Sequence, residues 1–295
     1  MINALLLSIS IGIDPTIATV AGLEITWHGL FTAIGVVAGV AVSAWLARKM
    51  GYPEDMIYNV ALALVIGGII GARGLFVLEN LSQFKDSPGD IFAINTGGIS
   101  IYGALIGGTI GGWLYAFLTH VPNLPRGADI AGIGGIVGMA TGRIGDVING
   151  EHFAQTTDWP WGVVYTHVNS PSYLRFGPAA LPQHPAVAYE LIGDLVIFAL
   201  LLLIYFRVQR AGVTFFAFVF LYGLLRTFVS FLRLDDIVFL GLRTAQVVGI
   251  ASMGISLPVM IYLLRTSPRE ERQDRSVRRR VVPEEPPAGE EQSAG

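Results

Sequence analysis

The chain contains no cysteine. Disulfides, thiolate metal sites and a cysteine nucleophile of the protein's own are therefore excluded. Charge is scarce as well: 14% of residues are Asp, Glu, Lys or Arg, against about 25% in soluble domains. Five histidines are too few to favour a zinc cluster, and neither a metal nor a cofactor is expected. Residues 1–13 are apolar but carry no basic cluster, so they read poorly as a signal peptide. They are also too short for a bilayer, which takes about 20 residues. Residues 1–24 are expected to form an arm on the membrane surface.

What the chain has in quantity is apolar sequence, at 53% hydrophobic. Seven runs are long enough to span, near 27–47, 56–79, 99–119, 128–149, 185–206, 213–232 and 244–264. The expected fold is an all-α integral membrane protein with about seven transmembrane helices. Residues 1–265 form its membrane domain, and 266–295 a charged, disordered tail. Twelve basic residues, including Arg48, Lys49, Arg126, Arg207, Arg210 and the arginines of the tail, fall on one side of the runs. Four fall on the other: Lys85, Arg175, Arg233 and Arg243. The positive-inside rule then puts the C-terminus in the cytoplasm and the N-terminus outside. Residues 150–183 become an extracytoplasmic segment. Its Trp159, Trp161, Tyr165 and Tyr173 fit either an interfacial aromatic belt or a cap over a substrate site.

Glycines recur at four-residue spacing inside the runs: Gly67 and Gly71; Gly103, Gly107 and Gly111; Gly134, Gly138 and Gly142. Small residues at that spacing let membrane helices approach closely.

The fourth run ends in Gly142-Arg143-Ile144-Gly145-Asp146-Val147-Ile148-Asn149-Gly150-Glu151. At helical spacing Arg143, Asp146, Asn149 and Gly150 share a face. An ionisable group at membrane depth costs roughly 2.5–3.5 kcal/mol on insertion scales, so it marks a functional site by default. Arg226 sits toward the outer side of its own run, and two guanidiniums at similar depth point to a shared anion. The alternative pairs Arg143 with Asp146 or Glu151, and Arg226 with Glu190. Arg73, also toward an outer end, fits an anchor or a structural pair as well as a substrate contact. Glu190 and Asp194, one turn apart, must meet arginines or keep a proton. His28 and His184 lie at outer ends of runs, and His184-Pro185 also reads as a helix start.

The ten-residue stretch resembles the signature of the bacterial prolipoprotein diacylglyceryl transferases, G-R-x-G-N-F-x-N-G-E. Four further blocks follow that family's order: Trp27-His28-Gly29, Gly97-Gly98-Ile99-Ser100-Ile101-Tyr102-Gly103, His184-Pro185 with Tyr189-Glu190, and Tyr222-Gly223 with Arg226. The resemblance runs from about residue 20 to 265. It implies a multi-pass enzyme of the bacterial inner membrane with its active site toward the extracytoplasmic side. The implied reaction moves the diacylglyceryl group of phosphatidylglycerol to the lipobox cysteine of a prolipoprotein. It forms a thioether and releases glycerol 1-phosphate, the first step of lipoprotein maturation. Its partners are that lipid, the prolipoprotein peptide and the bilayer, with no nucleic acid.

On this reading the catalytic residues are Arg143, Arg226, Tyr102 and His28. The substrate-binding set adds Asp146, Asn149, Gly150, Glu151, Glu190 and Arg73. Two arginines would stabilise the charge that develops on the leaving phosphate. Tyr102, His28 and Asp146 are each candidates for the base that takes the thiol proton, and a thiolate formed in the field of the arginines needs none of them. Four positions depart from the family's pattern: Asp146 replaces Asn, Ala154 replaces Gly, His28 replaces Tyr and Ser230 replaces Glu. A carboxylate lost at 230 and gained at 146 would keep the local charge sum. Asp146→Asn, which restores the family's residue, is expected to be tolerated or to improve activity. The competing readings are a diverged member that binds or transports lipid, an unrelated lipid or anion transporter, and a catalytically silent scaffold. The two halves of the chain show no self-similarity, which disfavours the transporter.

Overall fold

The computed structural model describes residues 8–20, 22–85, 87–92, 98 and 100–269. Seven long helices run through the described residues: α1 Trp27–Lys49, α2 Glu54–Glu79, α3 Ile101–Leu118, α4 Leu124–Asn149, α6 Ala186–Val208, α7 Val213–Ser230 and α8 Thr244–Thr266. The short α5, Pro171–Phe176, lies between α4 and α6. Five of the long helices, α1, α2, α6, α7 and α8, are long and apolar enough to cross a membrane, which makes this a multi-pass membrane protein. In α3 the apolar stretch is shorter, Ile106–Leu118. The remaining long helix, α4, carries Arg126, Asp129, Arg143 and Asp146 along its length.

Local chemistry sets the helix ends. Thr26 caps α1 by accepting from the Gly29 amide at 3.1 Å. Asn123, in the left-handed region, caps α4 ahead of a proline in the first turn. The start of α7 takes its cap from another helix. Buried Asp129 of α4 accepts from the amides of Gly212 at 2.9 Å and Phe215 at 2.8 Å, and pairs with Arg126 at 3.3 Å. Arg126 is therefore buried within α4 and not a loop charge.

The spaced glycines become two seams. Gly35 and Gly39 of α1 lie against Gly138 and Gly134 of α4, where an added Cβ would stand 2.5 and 2.6 Å from a facing carbonyl oxygen. Gly67 and Gly71 of α2 meet Gly103, Gly107 and Gly111 of α3 in the same way. Leu46, Ile133, Ile136 and Leu201 fill the core between α1, α4 and α6.

The helices are accompanied, among the described residues, by three small two-stranded sheets that the sequence did not announce: β1 Ile9–Ile11 with β4 Val163–Tyr165, β2 Thr16–Val20 with β3 Leu23–Thr26, and β5 Ile237–Phe239 with β6 Leu242–Arg243. In the first, Ile9 pairs in parallel with Val163. Strands this short owe their existence to a distant partner, so no local periodicity announces them. Part of the expected N-terminal arm is thus sewn to the segment after α4. The Trp27 indole adds a second tie by donating to the Asp14 carbonyl at 3.0 Å. Residues 270–295, most of the expected disordered tail, lie outside the described residues.

Candidate active site

The polar signature occupies the last turns of α4 and the turn that ends it. The helix stops at Asn149, and Gly150 follows with φ +72°, a conformation that favours glycine. A Cβ there would also stand 2.6 Å from the Tyr165 ring. Tyr165 donates to the Val147 carbonyl at 2.8 Å, and the Ser170 hydroxyl donates to that of Asn149 at 3.0 Å. Two free carbonyls of the helix end are thereby satisfied by the 150–183 segment, which lies over the end of α4. Burial, helped by the Asp146 charge, pushes the Tyr165 phenol well above its ordinary range.

Around this helix end the structure gathers ionisable groups from α1, α4, α6, α7 and two loops. Arg143 reaches Asp146 at 2.9 Å with one terminal nitrogen and Glu190 of α6 at 2.9 Å with the other. Arg226 of α7 holds the second oxygen of Glu190. One carboxylate, 1% exposed, therefore brings the two arginines together. The pairing alternative read from the sequence holds for both, and it is also what makes them neighbours. Arg143 Nε remains a buried donor without a hydrogen-bond partner among the described residues.

Asp146 is buried and engages three groups. His28 Nδ1 lies 2.5 Å away, Arg143 at 2.9 Å, and His152 Nε2 at 3.4 Å. Glu151 also approaches His28 Nδ1, at 3.1 Å. The close approach of α1 to Gly145 delivers His28 to this spot: a Cβ on Gly145 would stand 2.6 Å from the Trp27 carbonyl oxygen and 2.8 Å from His28 Cα. Two of the four positions that depart from the family's pattern, His28 and Asp146, are thus in direct contact. Ser230, the third, is buried and spends its hydroxyl on the Arg226 carbonyl at 2.7 Å.

Beyond Arg226 the structure adds residues that the sequence reading left out. Arg233 is 5% exposed. It chelates Asp235 at 2.8 and 3.1 Å, contacts His152 at 3.2 Å and lies 3.8 Å from Glu190. It lies past the end of α7, where a charge is ordinary, so the sequence carried no signal for it. Burial raises the Asp235 carboxyl, but hydrogen bonds from Arg233 and the charges of Arg233 and Arg226 outweigh it, so the group sits below its ordinary value. Arg175, Arg226, Arg233, Glu151, His152 and Asp235 line a cleft of about 440 Å³. Arg143 is not among the lining residues, but it shares Glu190 with Arg226, which is.

Several expected residues stand differently. Arg73 donates to the carbonyls of Ile91 at 2.8 Å, Gly98 at 2.7 Å and Asp90 at 2.5 Å. It ties down the loop after α2, away from the Glu190 cluster. The Tyr102 side chain lies outside the described residues, as do residues 93–97 and 99. Asn149 is buried, with no hydrogen-bond partner for its side-chain oxygen among the described residues. Glu190 meets arginines, whereas Asp194 is fully buried with neither oxygen hydrogen-bonded among the described residues. His184 lies 3.4 Å from the Tyr189 hydroxyl, and burial lowers its pKa below the ordinary histidine value. Trp161 donates to the same hydroxyl at 2.8 Å and packs edge-on against Trp159.

Residues 15–262 match the family model described as prolipoprotein diacylglyceryl transferase. Curated relatives carry the name phosphatidylglycerol--prolipoprotein diacylglyceryl transferase. The chain is 34% identical to one from a Nostoc species over 256 residues, covering 84% of this chain and 89% of that one. It is 32% identical to one from Dehalococcoides mccartyi, covering 86% and 95%. It is 34% identical to one from Geobacter sulfurreducens, covering 85% and 92%. With a match across most of its length and the signature arginine at the centre of a buried polar cluster, the chain belongs to the prolipoprotein diacylglyceryl transferase family.

Proposed function

We propose that the protein transfers the diacylglyceryl group of phosphatidylglycerol to the cysteine thiol of a prolipoprotein. The observation that carries this reading is the convergence of Arg143 and Arg226 on Glu190 beside a cleft that Arg226 and Arg233 line. The lipid phosphate enters that cleft. The thiolate attacks the diacylglyceryl carbon bound to the phosphate oxygen, a C–S bond forms and that C–O bond breaks. The departing glycerol 1-phosphate gains a second negative charge. Arg226 and Arg233 meet it, with Arg143 held to Arg226 through Glu190. Preorganised donors in a site poor in water stabilise such charge more in the transition state than in the ground state.

His28 is the best-supported base. Asp146 holds its Nδ1 side, which leaves Nε2 as the acceptor for the thiol proton, the arrangement by which an oriented imidazole activates a nucleophile. Asn149, Gly150 and Glu151 shape the turn that carries Asp146. Tyr102 keeps its proposed place at the start of α3, and Arg73 acts by holding the loop that precedes it. The seven long helices all cross the bacterial inner membrane, with the N-terminus outside and the C-terminus in the cytoplasm. The basic residues at the cytoplasmic ends support this orientation. Residues 150–183 then cap an extracytoplasmic site, within one membrane domain that ends near 265.

One observation favours a second reading. Asp146 lies against Arg143 at 2.9 Å and partly neutralises it, as in a diverged member that binds or carries lipid without turnover. The test uses the purified protein in phosphatidylglycerol micelles with a lipobox peptide. Mass gain of the peptide and release of glycerol phosphate are expected in step. Lipid binding without either product would establish the second reading.

A further inference from the structure

A transfer between two substrates needs two seats, and the arginine-lined cleft accounts for one. A second cleft, of about 540 Å³, lies directly beside it. Leu234 lines both. Their chemistry is opposite. The first is ringed by guanidiniums and carboxylates, while no residue lining the second is ionisable. We propose that this uncharged cleft seats the peptide substrate, as an extended, uncharged, largely apolar segment whose cysteine reaches over Leu234 toward the phosphate.

The walls are built for such an occupant. The extended stretches 154–157 and 180–184 form one wall together as an antiparallel pair. They are paired by the Thr157 amide to the Pro182 carbonyl at 2.8 Å and the His184 amide to the Gln155 carbonyl at 2.9 Å. Buried Gln183 makes the floor rigid. Its amide oxygen accepts from the Ala154 amide at 3.2 Å and its nitrogen donates to Ser172 at 3.4 Å. Small side chains at Ala179 and Ala180 keep the space open, and Leu181, Phe176 and Leu234 give it apolar surface. A charged peptide segment would lose its hydration here with no counter-charge to replace it. A lipid phosphate has its counter-charges on the other side of Leu234. Continuity with the charged cleft and this contrast in charge favour a peptide over a second headgroup. The Ala154 methyl group, the departure from the family's glycine, is itself 2% exposed and packs against Ala186 and Val229.

The assignment rests on the transfer reaction proposed above, and the experiment separates the two. The full-length protein in phosphatidylglycerol micelles receives a lipobox peptide with serine in place of cysteine and a benzophenone side chain two residues before it. No turnover is then needed for labelling. Photo-crosslinks are expected on residues 154–156 and 176–183 of the unmodified protein. Ala180→Trp should raise KM for the reactive peptide by about tenfold with KM for phosphatidylglycerol unchanged, and Leu181→Ser is the milder variant should the first not fold. Crosslinks in the cleft without any transfer would uphold the peptide seat and end the transferase reading. Normal transfer with crosslinks elsewhere, or labelling of the cleft by a photoactivatable phosphatidylglycerol instead, would overturn the seat.

Discussion

The contact between His28 and Asp146 makes a quantitative prediction that reverses the one drawn from the sequence. If position 146 only had to match the family's asparagine, Asp146→Asn would be harmless or would improve transfer. In the structure this carboxylate is buried, lies 2.5 Å from His28 and also pairs with Arg143 and His152. Asparagine keeps an acceptor but loses the charge, and hydrogen bonds to charged groups contribute about 1.5–3 kcal/mol. If that stabilisation is expressed in the transition state, kcat/KM falls by about 10- to 150-fold. Because the two departures touch, their effects must couple. His28→Tyr alone should also impair transfer. The double variant, which restores both family residues, should recover activity relative to the sum of the singles. A double-mutant cycle on kcat/KM, read from glycerol phosphate release, measures this coupling, expected at about 1–3 kcal/mol for groups in contact. Asp146→Asn within about twofold of the parent, with additive effects at the two positions, would refute the dyad.

Three other outcomes follow from the same geometry. Glu190→Ala removes the one carboxylate shared by Arg143 and Arg226. Breaking a buried ion pair by removing one partner costs about 3–5 kcal/mol, and although Arg143 keeps Asp146, the variant should melt markedly earlier in micelles and lose transfer. An unchanged melting temperature would contradict the bridging role. Gly145→Ala pushes a methyl group into the Trp27 carbonyl. Overpacking costs about 1–3 kcal/mol, and the displaced His28 should lower kcat more than it raises KM for lipid, whereas parental kinetics would argue against Gly145 as the residue that delivers His28. His184, whose folded pKa is depressed by burial, should titrate below about 6.5 in a histidine-labelled NMR experiment. Between the folded and unfolded values the unfolded chain binds more protons, so stability falls as pH drops through that window, and His184→Gln should blunt the fall.

How much of this was legible in advance varies by element. The helices lie close to the apolar runs because burying about 20 apolar residues in a bilayer is a local demand, met or not met by each stretch alone. The spaced glycines were legible as contact faces, but their partners were not: the Gly134 and Gly138 pair finds α1, and the Gly103 to Gly111 series finds α2. Arg143, Arg226 and Glu190 stood out because an ionisable group in an apolar run is costly wherever it sits. Arg233 and His152 did not, since outside the runs a charge is ordinary, and only the fold buries Arg233.

The sequence by itself determined a helical membrane protein with a polar signature at the end of one helix, because hydropathy and the cost of intramembrane charge act residue by residue. Only the tertiary structure decided the rest. It set Glu190 between two arginines, joined His28 to Asp146 across 118 residues, bound Arg73 to a loop, and placed an uncharged cleft beside a charged one. These are distances between groups far apart in the chain. They depend on which helices glycine allows to touch and on where the segments between them are pinned, and that information belongs to the packed molecule.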